Sequence, residues 1–194
     1  MRKVKPEDLM DLAAYEAARP ELRARIIAHK RRRRVLLGPD ISMLFEDTET
    51  VRHQVQEMLR AERITAPEAV RFEVDTYNDL VAPDGALLAT LMIEVENPAV
   101  RETRRRDLHG IDDAIALQIG DARFPATFDA AGRYEDRVAV VRYATFALPP
   151  NGRDLLLDLS KPATIVCTHP RYGYRAELSD DTRRALAEDL SPAG

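Results

Sequence analysis

The chain is nearly free of cysteine. Cys167 is the single one in 194 residues, which excludes an intrachain disulfide and any four-cysteine zinc or iron–sulfur site built from one copy. Long apolar runs are also missing. No stretch approaches the ~20 residues of a membrane span, and the amino-terminal MRKVKPEDLM holds no apolar signal core. The expected compartment is therefore the cytoplasm. No glycine-rich phosphate loop, G-x-S-x-G elbow or H-E-x-x-H occurs. None of His29, His53, His109 and His169 has a Glu three residues before it, so the Glu-x-x-His pairing of di-iron bundles is absent as well. No resident metal or cofactor is expected.

The composition, 45% hydrophobic and 32% charged, belongs to a globular chain rather than a disordered one. Its length gives one domain over 1–194 as the default. The net charge of −4 hides an asymmetry: residues 1–34 carry eleven Lys/Arg against five Asp/Glu, a net +6, leaving −10 for the remainder. The sum argues against general nucleic-acid binding, while the split offers a basic amino-terminal segment to a partner.

The organising stretch is LFEDTETVRHQVQEMLRAER, residues 44–63. Leu44 and Phe45 end an apolar run, Asp47 or Thr48 caps a helix, and Val51, Val55, Met58 and Leu59 fall on one stripe. Thr65-Ala66-Pro67-Glu68 reads as a capping box opening a second helix, with Val70, Val74, Tyr77 and Val81 on its stripe. So short a link implies an antiparallel helical hairpin. Counting 100° per residue from Val51, Glu62 falls at about 20°, inside the apolar stripe, while His53, Glu57 and Arg60 fall near the opposite face. Glu62 is then either splayed to water at a fraying end or a partly buried carboxylate paired with Arg63, Arg60 or a more distant arginine. Glu57, near 240° by the same rough count, should reach water.

Before this hairpin, Pro6-Glu7-Asp8 starts a helix that Pro20 stops or kinks, and a second helical stretch follows with Leu22 and Ile26. Residues 30–34, Lys-Arg-Arg-Arg-Arg, read as a solvated cationic helix end, the alternative being a patch for phosphate or an acidic partner. Residues 35–38 and 41–46 form a strand pair around Gly38-Pro39-Asp40. The clearest strand is 86–96, whose alternation places Leu91, Ile93 and Val95 on one face and Thr90, Met92, Glu94 and Glu96 on the other. Paired carboxylates two apart can bind a metal or move protons, but the plainer reading is a wet face.

Further strands are expected near 114–119, 123–128, 137–148, 163–168 and 174–178, with a short helix at 154–159 and a last helix capped by Ser179. Residues 191–194 should fray. Three pairs have chemical potential. His53 with Glu57 and His109 with Asp112 or Asp113 could share a metal, and Cys167 with His169 could form a thiolate–imidazole pair. In each case the plainer reading is an ion pair, a hydrated turn or a small buried cysteine, because no third group is visible.

The fold class that follows is α+β. A largely antiparallel sheet over 86–178 packs with an amino-terminal helical region, 1–34 and 47–82, that contains the helical hairpin, and with a terminal helix over 179–190.

Four strings, RPELRARIIAHKRRRRVLLGP, LFEDTETVRHQVQEMLRAERI, EVDTYNDL and TLMIEVENP, give the chain a resemblance. It resembles an uncharacterised bacterial family, a domain of unknown function, often encoded beside a rubrerythrin and a cytosolic iron–sulfur oxidoreductase. Glu46, Gln54, Glu57, Met58, Arg60, Glu62, Arg63, Tyr77, Asn78 and Glu94 match that family's pattern, whereas the position of His53 is more often aromatic. The resemblance implies a non-catalytic companion of those two proteins in oxidative stress or electron transfer. A second possibility, of a different class, is an enzyme or sensor whose pocket is lined by Glu57, Arg60, Glu62, Tyr77, Asn78 and Glu94.

Overall fold

A computed structural model of the chain describes residues 1–129 and 134–191. Eight strands form one antiparallel sheet in the order β1 (Arg34–Leu37), β2 (Ile41–Phe45), β3 (Ala86–Ile93), β6 (Val141–Ala147), β5 (Ala122–Phe128), β4 (Ile115–Ile119), β7 (Ala163–His169) and β8 (Tyr172–Glu177). The sheet curls until its two ends nearly meet. At the seam the buried Tyr172 hydroxyl, on β8, donates to the Leu37 carbonyl at 2.7 Å and accepts from the Asp40 amide at 2.9 Å. The fold is thus α+β, as the turn-linked strand signals imply.

Alternation explains the core. On β2, Ile41, Met43 and Phe45 point inside the curled sheet, where Phe45 and Phe146 rings lie 5.9 Å apart. Ser42 and Leu44, of the opposite parity, are also buried; Ser42 lies between the Arg34 and Glu94 side chains, and helices cover the outer face of β3. The cover consists of α2 (Thr48–Glu62) and α3 (Pro67–Tyr77). Val51, Leu80, Val81 and Ala82 pack there on Leu88 of β3, and Val55, Leu59 and Val74 form the seam of the expected helical hairpin.

Asp47 is the cap of α2, accepting from the Thr50 amide at 2.8 Å while its own amide donates to Thr50 Oγ1 at 2.9 Å. The capping box expected at Thr65 does not form. Ala66 precedes α3 with no side-chain cap, and Pro67 in the first turn sets the helical φ instead.

Several boundaries differ from the pattern reading. Pro6–Asp8 is only a 3-10 turn, and one helix, α1 (Leu12–Arg31), starts at the Asp11 cap and runs through Pro20. Proline removes a single amide donor, and α1 continues through it. β3 stops at Ile93 rather than residue 96, and β6 covers 141–147 rather than 137–148. α4 (Pro98–Asp107) is capped by Asn97, α5 spans Gly152–Leu157, and α6 (Asp180–Asp189) is capped by Ser179. Of the segment expected to fray, 192–194 lies outside the described residues.

Candidate functional site

The polar face of α2 is half-buried against α1. Tyr15, 2% exposed, donates its hydroxyl proton to Glu57 Oε1 at 2.6 Å. Arg19 grips the same carboxylate as a fork, Nε to Oε1 at 2.8 Å and Nη2 to Oε2 at 2.9 Å. One turn further along α2, Arg60 forks onto Glu16. The Arg19 hydrogen bonds hold the Glu57 carboxyl down at about 2, and burial pushes the Tyr15 phenol up. His53 Nδ1 lies 3.4 Å from the Tyr15 hydroxyl, whose proton is committed to Glu57, so the ring donates there. Burial lowers the His53 pKa and leaves the imidazole neutral near pH 7.

Of the two readings open for Glu62 the structure takes the splayed one, and it overturns the expectation that Glu57 reaches water unheld. Glu62 is exposed at the end of α2 and has no hydrogen bond or ion pair among the described residues. Glu57 is the one held by partners. The wheel drawn from Val51 identifies a single apolar face, whereas α2 is covered on two sides, by β2–β3 and α3 on one and by α1 on the other.

The remaining residues singled out from the sequence occupy separate places. Glu46 is 1% exposed, under α2, accepting from Thr90 Oγ1 at 2.6 Å and from Gln54 Nε2 at 3.3 and 3.2 Å. Thr90 is therefore part of a buried polar contact and not of a wet face. Asn78 grips the Val4 backbone, its Oδ1 accepting from the amide at 2.8 Å and its Nδ2 donating to the carbonyl at 2.9 Å. Tyr77 packs beside it on the apolar clusters. Glu94 is exposed and accepts from Arg34 and Ser42, both at 2.8 Å. Arg63 is the exposed left-handed residue that ends α2, φ 53°. Of the six residues expected in one pocket, Glu57 and Arg60 share the α1–α2 interface and Tyr77 and Asn78 the contact with the Val4 segment, while Glu62 and Glu94 lie apart on the surface.

A cleft does exist beside that interface. It has a volume of about 650 Å³. Its α1 wall is Leu22, Arg25, Ile26 and His29, extended by Arg32 just past the helix end, and its α2 wall is Glu49, Arg52, His53 and Gln56. Asp8, Met10 and Tyr15 complete it. Each wall follows i, i+3, i+4, i+7 spacing, which is how a single helix face presents itself. Helical spacing alone does not reveal that two such faces confront each other.

One end of the cleft leads to a buried ion network that the sequence concealed. His29 Nε2 donates to Asp47 Oδ2 at 2.7 Å, and Arg33 Nη2 reaches the same oxygen at 2.9 Å. Burial would raise the Asp47 carboxyl, but the His29 hydrogen bond and the Arg33 charge hold it below its ordinary value. Arg33, 2% exposed, also forks onto Asp189 of α6. The basic run 30–34 is thus not uniformly solvated: one of its arginines is a core residue.

The other pairs with chemical potential settle as structural contacts. Cys167 is buried, and burial pushes its thiol up, away from thiolate. His169 Nε2 donates to the His109 carbonyl at 3.0 Å. Asp112, expected in a hydrated turn, is buried and takes a 2.7 Å hydrogen bond from Arg142. No group of three His, Cys, Asp or Glu that could hold a metal ion occurs among the described residues.

A family model described as "Protein of unknown function (DUF3501)" matches residues 3–190. The chain belongs to the DUF3501 family. A crystal structure of a novel protein of unknown function from Burkholderia pseudomallei K96243 is similar to it, with 34% identity and a TM-score of 0.89, over 98% of this chain and 100% of that one. Comparison with curated proteins finds no match. The DUF3501 chain has no described helix long and apolar enough to cross a membrane.

Proposed function

We propose that this DUF3501 chain is a non-catalytic accessory protein that docks an acidic partner on the outer face of α1. The observation carrying this reading is a stripe of Arg23, Ile27 and Arg31, at i, i+4 and i+8. Neither arginine has an ion pair or hydrogen bond among the described residues, and Ile27 between them is 48% exposed. Free cations flanking an exposed aliphatic side chain suit an interface with a hydrophobic centre and a complementary acidic rim. The stripe is held rigid because Arg19, Tyr15 and Glu16, on the same helix, are locked onto α2.

The family resemblance supports rubrerythrin and an iron–sulfur oxidoreductase as the partners, acting with this chain in the cytoplasm during oxidative stress. Mild co-purification from the host should recover one of them, with recovery falling as salt rises. Reversing charge with Arg23→Glu and Arg31→Glu should abolish recovery. Unchanged capture by the double variant would remove the docking face. Failure to recover either protein at low salt, with deletion leaving peroxide tolerance intact, would remove the partners.

A further inference from the structure

The cleft between α1 and α2 carries an inference that does not depend on the docking stripe. Two of its walls' acidic groups are already satisfied. Asp8 is forked by Arg2 at 2.8 and 3.0 Å, and Glu49 accepts from Arg52 at 2.8 Å. The cations are less committed. Arg25 has no ion pair or hydrogen bond among the described residues, and Arg32 has only a long contact of 3.9 Å to Glu188 and one of 3.4 Å to His29. Arg25 and Arg32 lie seven residues apart, two turns, and therefore stack on one face.

Apolar side chains share the surface beside them with His29. Leu22 and Ile26 alternate with the cations along α1, and Met10 faces them from the amino-terminal segment. Met10 is fixed there by Gln56, which accepts from its amide at 2.9 Å and donates to its carbonyl at 3.0 Å. Imidazoles stand on both sides, His29 oriented by Asp47 and His53 by Tyr15. A site of several hundred Å³ with an apolar floor and a few convergent polar groups is the usual form of a small-molecule pocket. Uncommitted guanidinium groups select an oxyanion, which they take through paired N–H donors.

We propose that the α1/α2 cleft binds a small amphipathic anion: an apolar body seated on Leu22, Ile26 and Met10, with a carboxylate or phosphate held by Arg25 and Arg32. The two head groups share this chemistry, and separate probes distinguish them. Full-length protein would be titrated calorimetrically with octanoate, with phenyl phosphate and with inorganic phosphate. At least one of the two amphipathic probes should bind roughly tenfold or more tightly than inorganic phosphate, since the apolar body adds buried area that the bare ion lacks. Arg25→Ala should weaken that probe about tenfold, the worth of one charge-assisted contact.

Arg25 is exposed and unpaired, so its removal leaves the fold intact, and Arg25→Lys should recover part of the loss. Arg31→Ala, outside the cleft, should change nothing in these titrations while still weakening the acidic partner. Equal binding of all three probes would mean an adventitious ion only and would overturn the proposal. So would the absence of heat with both amphipathic probes at millimolar concentration, or an Arg25→Ala variant that binds as the parent does.

Discussion

Arg33 and Asp189 close on each other as a fork, Nη1 to Oδ2 at 2.7 Å and Nη2 to Oδ1 at 2.8 Å, across 156 residues of chain. The contact ties the start of β1 to the end of α6, and through Asp47 it reaches the first turn of α2. Breaking one side of such a buried network leaves the other charges without compensation. Arg33→Met, which strands Asp189 and leaves Asp47 to His29 and the Thr50 amide, should cost about 3–5 kcal/mol. Replacing both Arg33 and Asp189 with apolar residues should be less damaging than the single change. Urea melts at unchanged slope measure both, and a single-variant loss under about 1 kcal/mol would show the network to be solvated.

The α1–α2 contact makes an opposite claim for two glutamates on one helix. Glu57→Ala removes the acceptor for Tyr15 and Arg19 and leaves a phenol that is 2% exposed without its short hydrogen bond. The cost should be about 2 kcal/mol. Glu62→Ala, on an exposed and unpaired side chain, should stay within roughly 0.5 kcal/mol. Equal midpoints for the two variants would contradict the interface.

Glu57 also gives the fold a dependence on acid. Its carboxyl lies at about 2 against an ordinary 4.5, so the folded state holds the ion more tightly than the unfolded chain does. The stabilisation is complete above the unfolded value and is lost as pH falls from 4.5 toward 2. Parent protein should therefore lose more stability than Glu57→Gln between about pH 5 and pH 3. Parallel losses in the two proteins would mean that the Arg19 fork does not persist in solution.

Local signals were the legible ones. The Asp47 cap, the Val51–Val55–Leu59 stripe and the turn at Gly38-Pro39-Asp40 each depend on residues within a few positions, and each appears in place. Arg33 was illegible for the converse reason. Inside a run of five basic residues it carries no local mark, and its partner is 156 positions away. The α1–α2 contact left a faint trace in complementary charge, Glu16 against Arg60 and Arg19 against Glu57, but helical periodicity registers apolar faces and is silent about a polar one. The cleft follows from that same contact. Its walls are two stripes that look, one at a time, like solvated helix surface.

The seam between β1 and β8 offers the sharpest test of the curled sheet. Gly38 has φ +71°, and a Cβ there would fall 2.7 Å from Tyr174 Cγ and 2.8 Å from the Tyr172 hydroxyl oxygen. Gly38→Ala must therefore meet both an unfavourable backbone conformation and two rings that hold the strand ends together. Tyr172→Phe probes the same seam without adding an atom. Burial pushes the Tyr172 phenol up to about 12, so at neutral pH it keeps the proton it donates to Leu37 while accepting from Asp40. Losing the hydroxyl leaves one carbonyl and one amide without their partner, a cost of about 2 kcal/mol. Amide hydrogen exchange reads the effect at a single position. The Asp40 N–H should exchange faster in Tyr172→Phe, while amides of the β3–β6 ladder, on the far side of the sheet order, keep their protection relative to global stability. An unchanged Asp40 rate would show that the seam is open in solution and that the strand ends are held by other contacts.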